Sequence, residues 1–237
     1  MDKINILINK IDRSYLDNNY SELLKGLYKD RKEAVKKFNN KAAVYPSMTA
    51  GLMLMRVYEK LYGESGCDII VKKGESGKPY IFGRDGFKFN ISHSGDYVVM
   101  AYYLGEKSCE LGIDIEKIKP RDEDMRIANR FFTKSEIDYI SDGLECSDID
   151  SRFYKVWTMK EAYIKMTGKG LSQRLDSFSV YPEELTVTDA DTCKLNSDIN
   201  YDMRIIDNYV ISVCAAGIGK AEYCYSQITL DKPLCMR

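Results

Sequence analysis

Apolar and polar positions alternate at the start of the chain. Ile4, Ile6 and Ile8 are interleaved with Asn5, Leu7 and Asn9, the period-two pattern of a strand. Residues 21–38 then read as helix and carry a basic cluster of Lys29, Arg31, Lys32, Lys36 and Lys37. A second helix over 46–62 turns Met48, Leu52 and Met55 toward a core, and Gly63 suits its C-terminal cap. Short runs between turn residues predict strands at 68–71, 80–82, 87–91, 97–103 and 111–116. Thr133-Lys134-Ser135-Glu136 has the spacing of a capping box and opens a short helix to about Ile140. The strongest helical pattern covers 151–167, with Phe153, Trp157 and Ile164 on its apolar side and Gly168 at its end. The segments 178–181, 203–206, 209–215 and 222–228 read as antiparallel strands.

The pattern echoes itself. Residues 4–12 resemble 111–119, and Asp96-Tyr97-Val98-Val99 resembles Asn208-Tyr209-Val210-Ile211. The expected fold class is therefore α+β, with two similar lobes related by a pseudo-twofold duplication. Each lobe is expected to be an antiparallel sheet packed with a long helix, the first over residues 1–107 and the second over 108–237.

Composition narrows the function classes. At 237 residues, with 44% hydrophobic and 30% charged, the chain is an ordinary soluble sequence with enough length for a large core. A net charge of −1 gives nucleic-acid binding no support. The first residues lack the apolar core of a signal peptide, and no apolar run is long enough to span a bilayer, so no membrane role and a cytoplasmic location are expected. Seven cysteines without a C-x-x-C pair fit scattered reduced thiols, and a single histidine, His93, excludes a His-rich metal site.

Two short segments carry the candidate chemistry. In Gly112-Ile113-Asp114-Ile115-Glu116, a strand puts both carboxylates on one face and both isoleucines on the other. In Trp157-Thr158-Met159-Lys160-Glu161-Ala162-Tyr163-Ile164-Lys165, Glu161 and Lys165 share a helix face. Three acids that converge repel one another unless a cation lies between them, which suggests a Mg²⁺ site with a lysine ready for a phosphate. Solvated strand acids and a surface ion pair would produce the same spacings. The apolar flanks of Asp114 and Glu116 weigh against that bland alternative. His93, between Ser92 and Ser94, serves equally well as a backbone-bonded turn histidine or as a phosphate contact. Gly77-Lys78-Pro79 is a turn by composition. The basic stretch 117–130, ending in Phe131-Phe132, is either a core edge or a docking surface for an acidic protein.

Phe89-Asn90-Ile91-Ser92-His93-Ser94, Gly112-Ile113-Asp114-Ile115-Glu116, Trp157-x-x-Lys160-Glu161-Ala162-x-x-Lys165 and Gly168-Lys169-Gly170-Leu171 follow one another in this order. Leu175-Asp176-Ser177-Phe178-Ser179-Val180 continues the series. Together they resemble the 4′-phosphopantetheinyl transferases of the surfactin-synthetase-activating (Sfp) type, closely over residues 74–181 and more loosely elsewhere. The resemblance implies transfer of the phosphopantetheine arm of coenzyme A to a serine of an apo acyl or peptidyl carrier protein, releasing adenosine 3′,5′-bisphosphate. It implies a monomer of two pseudo-dimeric lobes with coenzyme A and Mg²⁺ between them. Mapped onto this chain, Asp114, Glu116 and Glu161 would hold the metal, and Lys165 would contact the pyrophosphate. Ser92, His93 and Lys78 would bind coenzyme A phosphates, with Arg31 near the 3′-phosphate. Glu161 would accept the serine proton, directly or through a metal-bound water. Ala34, and Met48 before Gly51, stand where the family is often basic or polar. A non-catalytic relative that only binds coenzyme A or a carrier protein is the alternative. An unrelated Mg²⁺-dependent phosphohydrolase lacks a recognisable nucleophile or phosphate loop here.

Overall fold

Ile4, Ile6 and Ile8 are buried on one face of strand β1 (Asp2–Lys10), and Leu7 is buried on the other. Both faces of this strand are covered, so the strand sits inside a layered fold. The computed structural model describes residues 1–74, 77–120, 124–142 and 145–231; for Asp124, Ser147 and Leu171 it describes the backbone alone.

Three short helices follow β1: α1 (Arg13–Asn18), α2 (Tyr20–Gly26) and α3 (Lys29–Lys36). The single helix expected over 21–38 is thus two. Leu27 and Tyr28 adopt extended backbone between them and bury their side chains, which a continuous helix would not allow. The long helix α4 (Lys41–Tyr62) begins before Pro46, not at it. The Asn40 side chain caps it by accepting from Ala43 N at 2.9 Å. Pro46 forfeits a bond only to Ala42, which lies in the exposed first turn. Gly63, with φ 66°, ends the helix as expected.

A short 3₁₀ turn (Gly66–Asp68) occupies the start of the strand expected at 68–71. Then come β2 (Val71–Lys73), β3 (Pro79–Ile81), β4 (Phe87–Ser94), β5 (Tyr97–Leu104) and β6 (Glu110–Lys117). Helices α5 (Asp124–Phe131), α6 (Lys134–Ser141) and α7 (Cys146–Thr167) follow. Both bonds of the capping box at Thr133 and Glu136 form. The chain ends in β7 (Phe178–Tyr181), β8 (Thr186–Asp189), β9 (Ile199–Ile206), β10 (Tyr209–Ala216) and β11 (Ala221–Ile228). Strand β8 and helix α1 have no counterpart in the sequence expectation.

The duplication is visible in the topology. One antiparallel set is ordered β1-β5-β4 and the other β6-β10-β9, so first, central and third strands correspond. Each lobe also has a 22-residue helix closed by a left-handed glycine, then a two-stranded hairpin, β2-β3 or β7-β8. The echoing tyrosines meet: the Tyr97 and Tyr209 rings lie 4.9 Å apart, edge to face. The Tyr97 hydroxyl donates to Asp207 Oδ2 at 2.5 Å, and the Tyr209 hydroxyl accepts from Asp96 N at 3.1 Å. Strand β11 departs from the expected antiparallel ending. It runs parallel to β1, with Asp2 opposite Ala221 and Asn9 opposite Ile228.

Three cores separate four layers. Helices α1–α4 pack on one face of the first sheet around Met48, Met53 and Leu54. Its other face meets the second sheet through Ile4, Ile6, Val99, Ile113, Ile115 and Ile211. The far face of the second sheet packs against α5–α7 around Phe153, Met159 and Val210. Among the described residues no helix is long and apolar enough to cross a membrane, and the six described cysteines are free; Cys235 lies outside them.

Candidate active site

Phe87 and Phe89 point into the helical core on one side of β4, which leaves Asn90, Ser92 and Ser94 on the other. There β6 runs alongside without joining the β4 ladder. Side chains replace the missing main-chain bonds. Asn90 Oδ1 accepts from Ile113 N at 2.9 Å, and Ser94 Oγ accepts from Lys117 N at 3.2 Å. Between these fixings, Ser92 Oγ donates to Asp114 Oδ1 at 2.8 Å, and Ser94 Oγ donates to Glu116 Oε2 at 2.8 Å. The alternation read from the sequence holds: Ile113 and Ile115 are fully buried between the sheets, and Asp114 and Glu116 turn to the opposite face.

Helix α7 covers that face. Gly112 permits this, since a Cβ there would stand 2.0 Å from Ala162 O and 2.5 Å from Met166 N. The close approach brings Lys165 Nζ to 2.6 Å from Asp114 Oδ1 and 2.9 Å from Ser92 Oγ. Asp114 is 4% exposed, and its second oxygen, Oδ2, is buried without a hydrogen-bond partner. An unsatisfied buried carboxylate oxygen is costly, and a bound cation or water is the usual means of satisfying one. Glu161, half-buried one turn before Lys165, has its pKa raised, first by burial and then by the negative charges of Asp114 and Glu116; Lys165 offsets part of this. Glu161 on α7 therefore senses both acids of β6. Among the described residues no three such groups stand close enough to form a metal-ligand cluster.

His93 sits at the rim. Its pKa is lowered by partial loss of water around the ring, then by the positive charges of Lys165 and, more weakly, Arg31, with Asp114 opposing. Arg31 reaches this rim from α3. Its Nε donates to the Tyr28 hydroxyl at 3.2 Å and its guanidinium to Ser47 Oγ at 3.3 Å. The arginine stem lies across Gly51, where a Cβ would approach its Cγ to 2.6 Å. The polar companion of Arg31 on α4 is thus Ser47; Met48, the residue singled out in the sequence, is fully buried in the core. Lys78 stands apart from this group. Its Nζ donates to Glu110 Oε2 at 2.8 Å and to Met166 O at 3.0 Å. It lines a cleft with Pro79, Tyr80, Phe89, Glu110 and Gly168.

Asn90 figures in the sequence reading only within its motif and Ser94 only there and beside His93, and neither has a role of its own; their place in the same alternating run as Ser92 is the available signal. Lys160, adjacent to Glu161, points away from the site into a wholly buried pair with Glu136 at 2.7 Å. Its ammonium also donates to Leu175 O and Phe178 O, each at 2.7 Å. Burial lowers the Lys160 pKa and Glu136 opposes the shift. Arg126 and Arg130 are exposed on α5, with Arg130 stacked 5.1 Å from the Phe131 ring; Arg121 lies outside the described residues.

Two family profiles match this chain. Residues 110–214 match the 4′-phosphopantetheinyl transferase superfamily, and residues 15–104 match the N-terminal region of a 4′-phosphopantetheinyl transferase. The 4′-phosphopantetheinyl transferase Sfp of Bacillus subtilis (strain 168) is 36% identical over 173 residues, 72% of this chain and 73% of the relative. The 4′-phosphopantetheinyl transferase gsp of Aneurinibacillus migulanus is 29% identical over 210 residues, 87% of this chain and 82% of the relative. With two lobes of matching topology, an acid–lysine cluster at their seam and this extent of similarity, the chain belongs to the Sfp-type 4′-phosphopantetheinyl transferase family.

Proposed function

We propose that this chain transfers the 4′-phosphopantetheine arm of coenzyme A to a serine hydroxyl of apo acyl or peptidyl carrier proteins. The observation that carries the reading is the Ser92–Asp114–Lys165 cluster beside Glu161, with one buried Asp114 oxygen that lacks a hydrogen-bond partner. The serine oxygen forms a bond to the β-phosphorus of coenzyme A, the bond to the bridging pyrophosphate oxygen breaks, and adenosine 3′,5′-bisphosphate leaves. Lys165 meets the negative charge of the pyrophosphate, on a helix held in place by the bare Gly112. Glu161 takes the serine proton, itself or through a water; its raised pKa makes it a stronger base than a free glutamate. Ser92, His93 and Arg31 face the phosphates from the first lobe, and Lys78 contributes from the neighbouring cleft.

The residues fit Mg²⁺. Asp114, Glu116 and Glu161 offer hard carboxylate oxygens, one of them buried and unsatisfied, and their mutual repulsion is what a divalent cation relieves. When bound, Mg²⁺ supplies charge neutralisation at the pyrophosphate. The exposed arginines of α5 form a docking face for an acidic carrier protein. The enzyme acts as a cytoplasmic monomer, with the duplication boundary at 107/108.

Mass spectrometry of an apo carrier protein incubated with coenzyme A, Mg²⁺ and this protein tests the reading. A gain of one phosphopantetheine on the carrier is expected, and an unchanged carrier mass refutes transfer. Glu161→Ala is expected to abolish the gain with the fold intact; loading by that variant near the wild-type rate would remove Glu161 from its role.

A further inference from the structure

Ser94 is committed twice, to two consecutive residues of β6. Its Oγ accepts from Lys117 N at 3.2 Å and donates to Glu116 Oε2 at 2.8 Å. A hydroxyl has one proton to give. With the backbone amide directed at its lone pairs, that proton is turned toward the carboxylate. The arrangement differs from the neighbouring pair in the same run. Ser92 donates to Asp114, but the group that donates to it is the side-chain ammonium of Lys165. Ser94 is held by main chain, so the position of its oxygen is set by the seam between β4 and β6 and not by a flexible side chain.

We propose that Ser94 is a positioning residue for Glu116: it fixes that carboxylate as part of a divalent-cation site, acting across the lobe seam without touching substrate. The inference rests on the reading of Asp114, Glu116 and Glu161 as the metal-holding acids. The physical reason is pre-organisation. Glu116 is a half-buried side chain near the end of a strand, and a hydrogen bond to a fixed hydroxyl narrows the rotamers open to its carboxylate. A hydrogen bond from outside the ligand set fixes the orientation in advance, and removing such partners typically costs about 10–100-fold in metal affinity. The step of two residues on β4 (Ser92, Ser94) matches the step of two on β6 (Asp114, Glu116). The first lobe therefore sets the geometry of acids that belong to the second.

Direct Mn²⁺ binding to the full chain, followed by electron paramagnetic resonance of the free ion, tests this without relying on turnover. Ser94→Ala is expected to weaken Mn²⁺ binding about 10-fold, and Ser94→Thr, which keeps the hydroxyl, to stay within about twofold of wild type. In a Glu116→Gln background, Ser94→Ala is expected to cause no further loss, because the carboxylate through which Ser94 acts is gone. The KM for coenzyme A is expected to stay within about twofold in Ser94→Ala, since a metal-orienting role leaves the phosphate contacts of the first lobe in place. Unchanged Mn²⁺ affinity in Ser94→Ala overturns the proposal. So does an equal further loss in the Glu116→Gln background, or a parallel rise in the KM for coenzyme A, which would mark Ser94 as a general fastening of the seam. Absence of Mn²⁺ binding by the wild type overturns it as well, whereas transfer itself stands or falls separately on the carrier mass gain.

Discussion

Replacing Gly112 by alanine adds one methyl group where none fits. The new Cβ would stand 2.0 Å from Ala162 O and 2.5 Å from Met166 N. Both atoms are backbone of α7, so no side-chain rotation relieves the contact. Carbon–oxygen contacts in packed proteins stay beyond about 3 Å, so α7 must withdraw from β6 by about 1 Å. Overpacking of this kind costs about 1–3 kcal/mol, which for a chain of this size lowers Tm by roughly 2–12 °C. The effect on transfer is expected to be larger. α7 carries Glu161 and Lys165 and β6 carries Asp114 and Glu116, so the shift separates the 2.6 Å contact between Lys165 and Asp114. A misplacement of about 1 Å in such a group costs about 100-fold in rate. Carrier loading followed by mass spectrometry, beside a thermal melt monitored by circular dichroism, measures both quantities. Gly26→Ala is the control: a Cβ there meets nothing within 4 Å, and rate and Tm should stay at wild type. A Gly112→Ala protein with wild-type rate and Tm would refute the claim that this close approach sets the site.

Lys160→Met leaves Glu136 buried without its partner and is expected to destabilise by about 3–5 kcal/mol; adding Glu136→Gln should recover much of this in denaturant melts, and equal stability of single and double variants would contradict the pairing. The lone histidine makes a clean NMR titration: its midpoint should lie below 6.5, and rise in Lys165→Ala, which removes a positive neighbour. Because charging His93 is disfavoured in the folded state, its contribution to stability is full above pH 6.5 and is lost as pH falls below it; a midpoint at or above 6.5 would negate the sign. Arg126→Glu should raise the KM for carrier protein several-fold and leave that for coenzyme A unchanged; equal effects on both would place the docking face elsewhere.

Alternation and helical period reveal most of the secondary structure, because burial is periodic in both kinds of element. Asp114 and Glu116 face together, as their spacing requires, and the capping box forms because its bonds are local. The break between α2 and α3 is less legible. Lys25 to Lys32 has acceptable helix composition, and only the pull of two buried side chains, Leu27 and Tyr28, explains the extended residues. The place of Met48 shows the same limit: a one-residue shift along α4 exchanges a core position for Ser47, which meets Arg31. The Lys160–Glu136 pair joins residues 24 apart in sequence on the consecutive helices α6 and α7, and nothing in either local pattern announces the other. The parallel pairing of β11 with β1 is equally hidden, since an alternating strand carries no label for its neighbour or its direction.

A duplicated fold with a twofold axis offers two equivalent clefts. One lies where β4 meets β6. Its counterpart would lie where β9 meets β1, and there the last strand has settled: β11 pairs with β1 along its whole length, and Tyr225 on β11 lies 3.8 Å beneath the guanidinium of Arg204 on β9. The chain thus spends its final strand as a plug. Symmetry of the two strand sets becomes asymmetry at their edges: β1 carries an added parallel partner, whereas β6 has β4 beside it joined by side-chain bonds.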